Sequence, residues 1–308
     1  TGMIPFADGS DMGGSLRNPG SYNNVVGFRP SPGRVPSYPK QALYSPLAVQ
    51  GPIARDVKDT AFLMSVIAGP DVRSPLSIEE PGSIFLNSLD MNMKVKRIAW
   101  STDLGGLIPV DPAVKKVVED SAKVFENLGC LVEEAYPDLS DAEDIFQTFR
   151  ALEMELSYAT VYQYYKDHLK DTLIWNIEKG INLKATDINR AERKRHKLYH
   201  KIRQFFDTYD AFILPVSQVP PFDANIEYPT EINGKQMSTY IEWMQSAYFI
   251  TVTGTPAISV PAGFSPDGLP IGLQIVGPHR ADFDVLRIAY AFEQATKFSN
   301  IRPAILQE

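Results

Sequence analysis

The chain has 308 residues, of which 44% are hydrophobic and 22% charged, and its formal net charge is −7 with a pI near 5.3. This length suffices for one large domain or two ordinary ones. The acidic balance lacks the concentrated basic field that nucleic-acid binding needs, and no apolar run approaches the roughly 18 residues that cross a bilayer. We therefore expect a cytoplasmic enzyme with neither a nucleic-acid partner nor a membrane partner.

Cysteine and histidine are scarce, which limits redox and metal chemistry. The single cysteine, Cys130, cannot form an internal disulfide and fits a reducing compartment. The four histidines form no H-E-x-x-H motif, the helical pattern of many zinc enzymes. The sequence therefore predicts no metal site and no bound cofactor.

The first part of the chain is punctuated by turns. Residues 1–50 are rich in Gly, Pro and Ser, which predicts ordered turns and irregular backbone rather than long helices. Asp56, with Asp59 three residues later, has the pattern of a helix N-cap with an acid in the first turn, and Gly69-Pro70 predicts where that helix stops. A polar connection without periodicity follows at about 75–92.

A strand-helix-strand unit comes next. Residues 94–100 alternate as in a strand, and Asp111 followed by Pro112 is typical of a helix start. An apolar stripe continues to Gly129, which predicts the helix end, and Leu131–Glu134 has the pattern of a second strand. This unit indicates an α/β architecture with some parallel strand pairing.

Residues 140–208 are predicted to be almost wholly helical. Ser140 and Glu143 have the spacing of a capping box. The basic stretch from Arg190 to Arg203 is interpreted as a solvated helix face, because acids elsewhere outweigh it. Four tyrosines of this region are interpreted as core or interface residues, with a substrate channel as the alternative. They are Tyr158, Tyr162, Tyr164 and Tyr165.

The last third returns to strands, at 211–216, 257–261 and 271–276, and ends in a helix over 282–298. No internal repeat is evident. These patterns predict a single α/β domain over residues 1–308, with the helical segment at about 140–208 as an insertion or cap.

The strongest chemical signal is the run Gly13-Gly14-Ser15. Two glycines before a serine allow a tight turn that points several backbone N–H groups into one concavity, where an attacked carbonyl could place its oxyanion. A phosphate-binding P-loop does not fit, because the Gly-Lys-Ser/Thr run is missing. The hydrolase elbow Gly-x-Ser-x-Gly does not fit either, since Arg17 follows where a glycine is required.

Four stretches, in this order, resemble the amidase signature family. They are Asp8-Gly-Ser-Asp-Met-Gly-Gly-Ser-Leu-Arg17 with Pro19 and Gly27-Phe-Arg-Pro-Ser31, then Gly51-Pro-Ile-Ala-Arg-Asp-Val57, Gly254-Thr-Pro-Ala-Ile-Ser-Val-Pro-Ala-Gly263 and Leu269-Pro-Ile-Gly-Leu-Gln-Ile-Val-Gly277. The resemblance implies a mixed sheet flanked by helices. It also implies hydrolysis of a carboxamide C–N bond through a serine acyl-enzyme, with a small-molecule amide as substrate.

The same resemblance assigns roles within the first stretch. Ser15 matches the acylating nucleophile, and the backbone N–H groups of Met12, Gly13, Gly14 and Ser15 match the oxyanion hole. Asp11 and Arg17 match positions that we interpret as an ion pair holding the loop rather than as direct participants in the chemistry. Ser10 aligns with a position that packs the loop and receives no catalytic role.

The chain departs from the family at the proton relay. In the family, a lysine and a serine held by a cis peptide take the proton from the nucleophile, and both precede the motif that begins here at Ala7. No residue of this sequence aligns with either of them. We therefore expect the N-terminal part of the fold to be missing and the chain alone to be inactive.

Two alternatives stay open. The chain could be an inactive fragment or interaction subunit of the same fold, or the glutaminase subunit of a tRNA-dependent amidotransferase. A homo-oligomer is compatible with each. Aromatic residues concentrated between 140 and 250 favour aryl or medium-chain acyl amides over charged ones. They are Phe146, Phe149, Tyr158, Tyr162, Trp175, Trp243, Tyr248 and Phe249.

Overall fold

The computed structural model describes residues 3–303, which form an eight-stranded mixed sheet with helices packed against it and a separate two-stranded hairpin. The strands are β1 (Phe6–Asp11), β2 (Val26–Arg29), β3 (Val49–Ala54), β4 (Arg97–Trp100), β5 (Leu131–Glu134), β6 (Ala211–Pro215), β7 (Glu231–Ile232), β8 (Lys235–Gln236), β9 (Ala257–Phe264) and β10 (Pro270–Val276). The order in the large sheet is β1-β3-β2-β9-β10-β6-β4-β5, and β7 pairs with β8.

Both kinds of strand pairing occur in the large sheet. From β1 to β6 every neighbouring pair is antiparallel, whereas β4 pairs in parallel with both β6 and β5. The parallel pairing predicted for the strand-helix-strand unit is thus confirmed, and so is the mixed α/β class. The central strand β6 is buried along its whole length, which accounts for its unbroken apolar sequence.

Eight α-helices accompany the sheet in the described part of the chain. They are α1 (Arg17–Tyr22), α2 (Val57–Ile67), α3 (Pro112–Asn127), α4 (Ala142–Tyr165), α5 (Asp171–Ile181), α6 (Ala185–Phe205), α7 (Gln245–Thr251) and α8 (Asp282–Thr296). Short 3₁₀ turns lie at Gly82–Leu86, Lys166–His168, Glu242–Met244 and Phe298–Asn300. No helix among residues 3–303 combines the length and apolar content that a bilayer crossing requires.

Local signals at helix ends correctly predict two helices. The carboxylate of Asp56 accepts the N–H of Asp59 at 2.8 Å, and α2 ends at Ile67, ahead of the predicted Gly69-Pro70 stop. Asp111 caps α3 by accepting the N–H of Ala113 at 2.8 Å. After α3, Gly129 has φ +89°, the left-handed conformation that glycine adopts most readily.

Two local predictions are wrong. The strand begins at Arg97 rather than at residue 94, because Val95 has φ +62° and cannot continue an extended backbone. The capping box also fails, because the Ser140 N–H donates to Asp138 Oδ1 at 3.0 Å and α4 starts only after Asp141. The Asp141 side chain makes no capping hydrogen bond either.

The basic face of α6 pairs with acids in the first turn of α4 and in the segment just before it. Lys194 Nζ lies 2.9 Å from Asp144 Oδ2, and Lys201 Nζ lies 2.6 Å from Asp138 Oδ2. These pairs are partly solvated, as the interpretation of a solvated helix face requires. Three of the four tyrosines on α4 are exposed and so do not belong to the core; they are Tyr158, Tyr164 and Tyr165. That α4, α5 and α6 form an insertion in a single domain stays a prediction.

A close approach explains one glycine of the fourth family stretch. Helix α1 packs on β10, and the Gly272 N–H donates to Ser21 Oγ at 2.8 Å. A Cβ at Gly272 would come within 2.9 Å of Ser21 Cβ and 2.8 Å of Ser259 Oγ, closer than real Cβ atoms come. Glycine at 272 therefore allows the helix that follows Ser15 to lie directly on the sheet.

Glu293 provides a test of how α8 is held. Its buried carboxylate accepts the N–H of Val57 at 3.2 Å, at the start of α2. Burial, reinforced by the nearby charge of Asp56, raises the pKa of Glu293 from 4.5 to about 7. The folded protein therefore holds this proton more tightly than the unfolded chain does, so its stabilising effect is complete below about pH 4.5 and is lost as the pH rises through 7.

We expect Glu293→Gln to flatten the fall in melting temperature between pH 5 and pH 8, because glutamine can still accept the Val57 N–H without ionising. The variant should melt higher than the parent protein at pH 8 in thermal denaturation followed by circular dichroism. Glu119→Gln, on the exposed face of α3, is the matched control. An unchanged pH slope in Glu293→Gln would contradict this account.

Candidate active site

The loop Met12–Leu16 connects β1 to α1 and contains the predicted nucleophile. Gly14 has φ +123°, and a Cβ there would lie 2.8 Å from Ala247 Cβ and 2.9 Å from Asn18 Nδ2. Both the backbone conformation and the space available therefore require glycine at this position. The loop is thus shaped against α7 as well as by its own sequence.

Asp11, at the end of β1, holds the loop in place through its side-chain carboxylate. It is fully buried, and its Oδ1 accepts the Gly14 N–H at 2.9 Å while its Oδ2 accepts the Leu16 N–H at 3.2 Å. A carboxylate that accepts two backbone N–H groups fixes the direction of both peptide planes. The predicted role of Asp11 as a support for the loop agrees with these contacts.

Two buried arginines neutralise Asp11. Arg17 Nη2 lies 2.9 Å from Asp11 Oδ1 and its Nε lies 3.0 Å from Oδ2, a bidentate pair. Arg29 Nη1 lies 3.2 Å from Oδ1 and also donates to the Asp11 carbonyl oxygen. Burial alone would raise the pKa of Asp11, but attraction to Arg17 and Arg29 outweighs burial and holds that pKa well below its ordinary value.

Arg17 also joins the loop to distant parts of the chain. Its Nη1 donates to Gln274 Oε1 at 2.6 Å and to the Ala247 carbonyl oxygen at 2.7 Å, and its Nη2 donates to Thr251 Oγ1 at 2.9 Å. All the N–H groups of this buried guanidinium therefore donate hydrogen bonds. The first and fourth family stretches are therefore in direct contact.

The backbone N–H groups of the loop differ from one another in availability. The N–H of Gly14 is already donated to Asp11, so it is not free in this conformation to bind an oxyanion, and the four-donor hole expected from the sequence needs this correction. Within residues 3–303, the N–H groups of Met12, Gly13 and Ser15 donate to no acceptor. These three remain as candidate oxyanion donors.

The side chain of Ser15 is exposed, and its hydroxyl forms no hydrogen bond with any residue in the described part of the chain. Ser10 is also exposed, on β1, opposite Gln50 of β3. Ser15 therefore stands at the end of the glycine turn beside the free N–H groups, whereas Ser10 belongs to a strand.

One aromatic pair contacts the loop. Phe146 of α4 stacks on Tyr248 of α7 with ring centroids 4.2 Å apart, and a Cβ at Gly13 would come within 3.1 Å of Phe146 Cζ. The Tyr248 hydroxyl donates to Glu143 Oε2 at 2.5 Å. Trp175 and Trp243, which the sequence analysis grouped with these aromatics, do not belong to this pair. Trp175 is exposed, and Trp243 packs against Tyr22 and Phe222.

Sequence reasoning missed the roles of three residues that hold this site. Arg29 was present in the first family stretch and Gln274 in the fourth, but no local pattern assigns either to Asp11 or Arg17. Thr251 lies outside all four stretches. An arginine or glutamine inside a strand sequence that is otherwise apolar is the signal that could have identified Arg29 and Gln274 as buried partners.

Metal ligation finds no support in the described residues. His196 and His200 are one helical turn apart on α6 with ring centroids 4.7 Å apart. No group of three His, Cys, Asp or Glu side chains that could hold a metal ion is found within residues 3–303.

Comparison with known proteins agrees with the resemblance drawn from the motifs. The amidase family model matches residues 1–286, and the chain belongs to the amidase signature family. Among curated proteins, it is 32% identical to an acylamidase of Rhodococcus erythropolis, over 98% of this chain and 64% of the acylamidase. It is 31% identical to a glutamyl-tRNA(Gln) amidotransferase subunit of Listeria monocytogenes, over 98% of this chain and 66% of that protein. The chain thus spans about two thirds of the length of these relatives.

Solved structures give the same family. A bacterial aryl acylamidase of the amidase signature family superposes with a TM-score of 0.86 at 30% identity, covering 98% of this chain and 66% of that one. A glutamyl-tRNA(Gln) amidotransferase subunit of Thermotoga maritima superposes with a TM-score of 0.77 at 27% identity, covering 95% and 63%. The mixed sheet and its helices are therefore those of the family.

The buried cluster of Asp11, Arg17 and Arg29 predicts a large effect of one neutral substitution. We expect Asp11→Asn to lower the free energy of unfolding by about 3–5 kcal/mol, because it leaves two buried guanidinium groups without their counter-charge. Asp120→Asn is the control, since it removes exposed ion pairs that contribute about 0–1 kcal/mol. Urea denaturation at pH 7 measures both. Equal losses in the two variants would show that the cluster does not hold the loop.

Proposed function

We propose that the chain carries the nucleophile and oxyanion hole of an amidase that hydrolyses carboxamide C–N bonds through a serine acyl-enzyme. The observation that carries this proposal is the position of Ser15. Its exposed hydroxyl follows a glycine turn whose N–H groups at Met12, Gly13 and Ser15 have no acceptor in the described residues. Membership of the amidase signature family supports the same chemistry.

The proposed steps follow from this arrangement. Ser15 Oγ attacks the amide carbonyl carbon. The carbonyl oxygen becomes an oxyanion that accepts hydrogen bonds from N–H groups of the loop. Each such donor can stabilise the transition state by about 3 kcal/mol. The C–N bond breaks as the leaving nitrogen takes a proton, which leaves an ester on Ser15. Water then cleaves that ester to release the carboxylic acid and restore the hydroxyl.

The mechanism also needs a base that takes the proton of Ser15. Within residues 3–303, no side chain forms a hydrogen bond with the Ser15 hydroxyl and could act as that base. The resemblance implies a neutral lysine that acts through a serine in a cis peptide, and neither aligns within this sequence. A serine hydroxyl without a base is a weak nucleophile at neutral pH. We therefore propose that residues 1–308 alone hydrolyse amides no faster than the oxyanion hole permits.

A glutaminase subunit of a tRNA-dependent amidotransferase is the second candidate, favoured by the 31% identity to glutamyl-tRNA(Gln) amidotransferase subunits. The higher TM-score to the aryl acylamidase, 0.86 against 0.77, favours the general amidase. Co-purification of the chain with a second subunit at constant stoichiometry would favour the amidotransferase instead.

The wall beside the loop suggests the substrate class. Phe146 and Tyr248 form a buried aromatic stack against Gly13. Arg17 uses all its N–H groups on Asp11, Gln274, Thr251 and a backbone oxygen, and Arg29, whose Nε lacks a partner, is fully buried. No described cation is therefore free at this wall to bind a carboxylate of the substrate. We propose aryl or medium-chain acyl amides as substrates.

Ser15→Ala is expected to abolish acylation. The test uses residues 1–308 fused at Thr1 to the segment of the Rhodococcus erythropolis acylamidase that precedes the matching region. We expect this fusion to hydrolyse phenylacetamide and to be labelled by a fluorophosphonate, and Ser15→Ala to lose at least about a thousandfold in kcat. Ser10→Ala is the control and should stay within a few-fold of the parent fusion.

Residues 1–308 without the fusion should show neither hydrolysis nor labelling. Full activity of this unfused chain would mean that the proton relay lies within it, which would overturn the proposed mechanism. Equal turnover by Ser15→Ala and the parent fusion would overturn the nucleophile assignment.

Substrate preference can be measured with the same fusion. We expect kcat/KM for phenylacetamide and octanamide to exceed that for the charged amide succinamate by at least about tenfold, because apolar contacts contribute about 1–3 kcal/mol each. Phe146→Leu should lower kcat/KM for phenylacetamide, whereas Phe149→Leu, one turn along α4, should not. Faster turnover of succinamate would contradict the proposed class.

A further inference from the structure

A cavity of about 380 Å³ lies apart from Ser15, between α4, α6 and the segments that follow α7 and β10. Its apolar side is formed by Leu47, Ile145, Phe149 and Val252. None of residues 12–15 lines it. This volume lies within the range of small-molecule binding sites, and the apolar side suits an aryl or alkyl group.

The opposite side of the cavity is basic. Arg195, His196, His279 and Arg280 line it, and Glu192 is the only acid among the lining residues that the structure describes. Glu192 pairs with Arg195 at 2.7 Å, and the Arg195 guanidinium stacks over the Phe149 ring at 4.3 Å. Arg195 thus joins the basic side to the apolar side.

Arg280 is a lining cation without a counter-charge in the described part of the chain. Its guanidinium forms no ion pair or hydrogen bond with any residue in the range 3–303. Its backbone has φ +67°, a conformation that non-glycine residues rarely adopt. The fold therefore tolerates local strain at a residue whose guanidinium has no polar partner within that range.

His279 is oriented by its neighbour across the cavity. Its Nδ1 lies 3.0 Å from the Gly254 carbonyl oxygen, which can only accept, so Nδ1 carries the hydrogen. The Nε2 atom is left without a described partner. In this tautomer Nε2 can only accept a hydrogen bond, so Arg280 is the group assigned to an anionic oxygen of a ligand.

We propose that this cavity binds a small carboxylate with an aryl or alkyl body, at a site distinct from the Ser15 loop. The carboxylate pairs with Arg280, and the body of the ligand packs on Phe149 and Val252. The site does not depend on the proposed amidase activity. It does touch the Ser15 framework at one point, since Thr251 lines the cavity and accepts a hydrogen bond from Arg17.

Isothermal titration of the Ser15→Ala chain with 4-phenylbutyrate tests the proposal, because that substitution removes the hydroxyl that could react. We expect one saturable site, an affinity that falls as NaCl is raised, and at least tenfold weaker binding of 4-phenylbutyramide and 4-phenylbutylamine. These two analogues keep the body of the ligand and change only its charge.

Arg280→Gly removes the guanidinium and relieves the left-handed backbone, so the variant should fold at least as well as its parent. We expect it to weaken 4-phenylbutyrate binding at least tenfold. Lys297→Gly is a matched control, because Lys297 is also basic, exposed and left-handed, with φ +57°, but lies at the end of α8 and does not line the cavity.

The proposal is overturned by no saturable binding of 4-phenylbutyrate to the Ser15→Ala chain, by equal binding to the Arg280→Gly chain, or by equal loss in Lys297→Gly. Equal binding of the neutral amide would exclude the carboxylate as the recognised group. None of these outcomes depends on amide hydrolysis, so failure of this proposal and failure of the proposed function are distinguishable.

Discussion

The buried contact between Asp11 and two arginines is the interaction on which the rest of the site depends. One carboxylate receives two guanidinium groups and two backbone N–H groups, all out of contact with water. Burial of three charges is costly unless each polar atom has a partner, and here carbonyl oxygens and Gln274 supply further ones, with Arg29 Nε the one guanidinium nitrogen left without a partner in the described residues. The result is a loop whose peptide planes are fixed by charge-assisted hydrogen bonds.

The same cluster explains why the family stretches occur so far apart in the chain. Arg17 follows the first strand of the sheet, Gln274 lies in the last strand, and Ala247 and Thr251 lie on the short helix between them. Gln274, Ala247 and Thr251 each accept a hydrogen bond from one N–H group of the Arg17 guanidinium. The loop that holds Ser15 is therefore built by the whole sheet, although its residues are contiguous.

Local signals predicted the parts of the fold that local chemistry decides. The Asp56 and Asp111 caps, the helix that starts at Pro112 and the glycine that follows it were all predictable, because each depends on a few neighbouring residues. The left-handed Val95 and the failed cap at Ser140 were not, since tertiary contacts override propensity there. Within the site, the motif located Ser15, Asp11 and Arg17. The use of the Gly14 N–H by Asp11 and the roles of Arg29 and Thr251 required three-dimensional contacts.

Residue-resolved amide hydrogen exchange of the loop, measured by NMR, tests whether Asp11 fixes the loop and leaves the candidate oxyanion donors free. We expect slow exchange at Gly14 and Leu16, whose N–H groups Asp11 accepts. We expect fast exchange at Met12, Gly13 and Ser15, which have no acceptor among the described residues. Exchange at Gly14 as fast as at Gly13 would contradict this expectation, because Asp11 would then not be holding the turn.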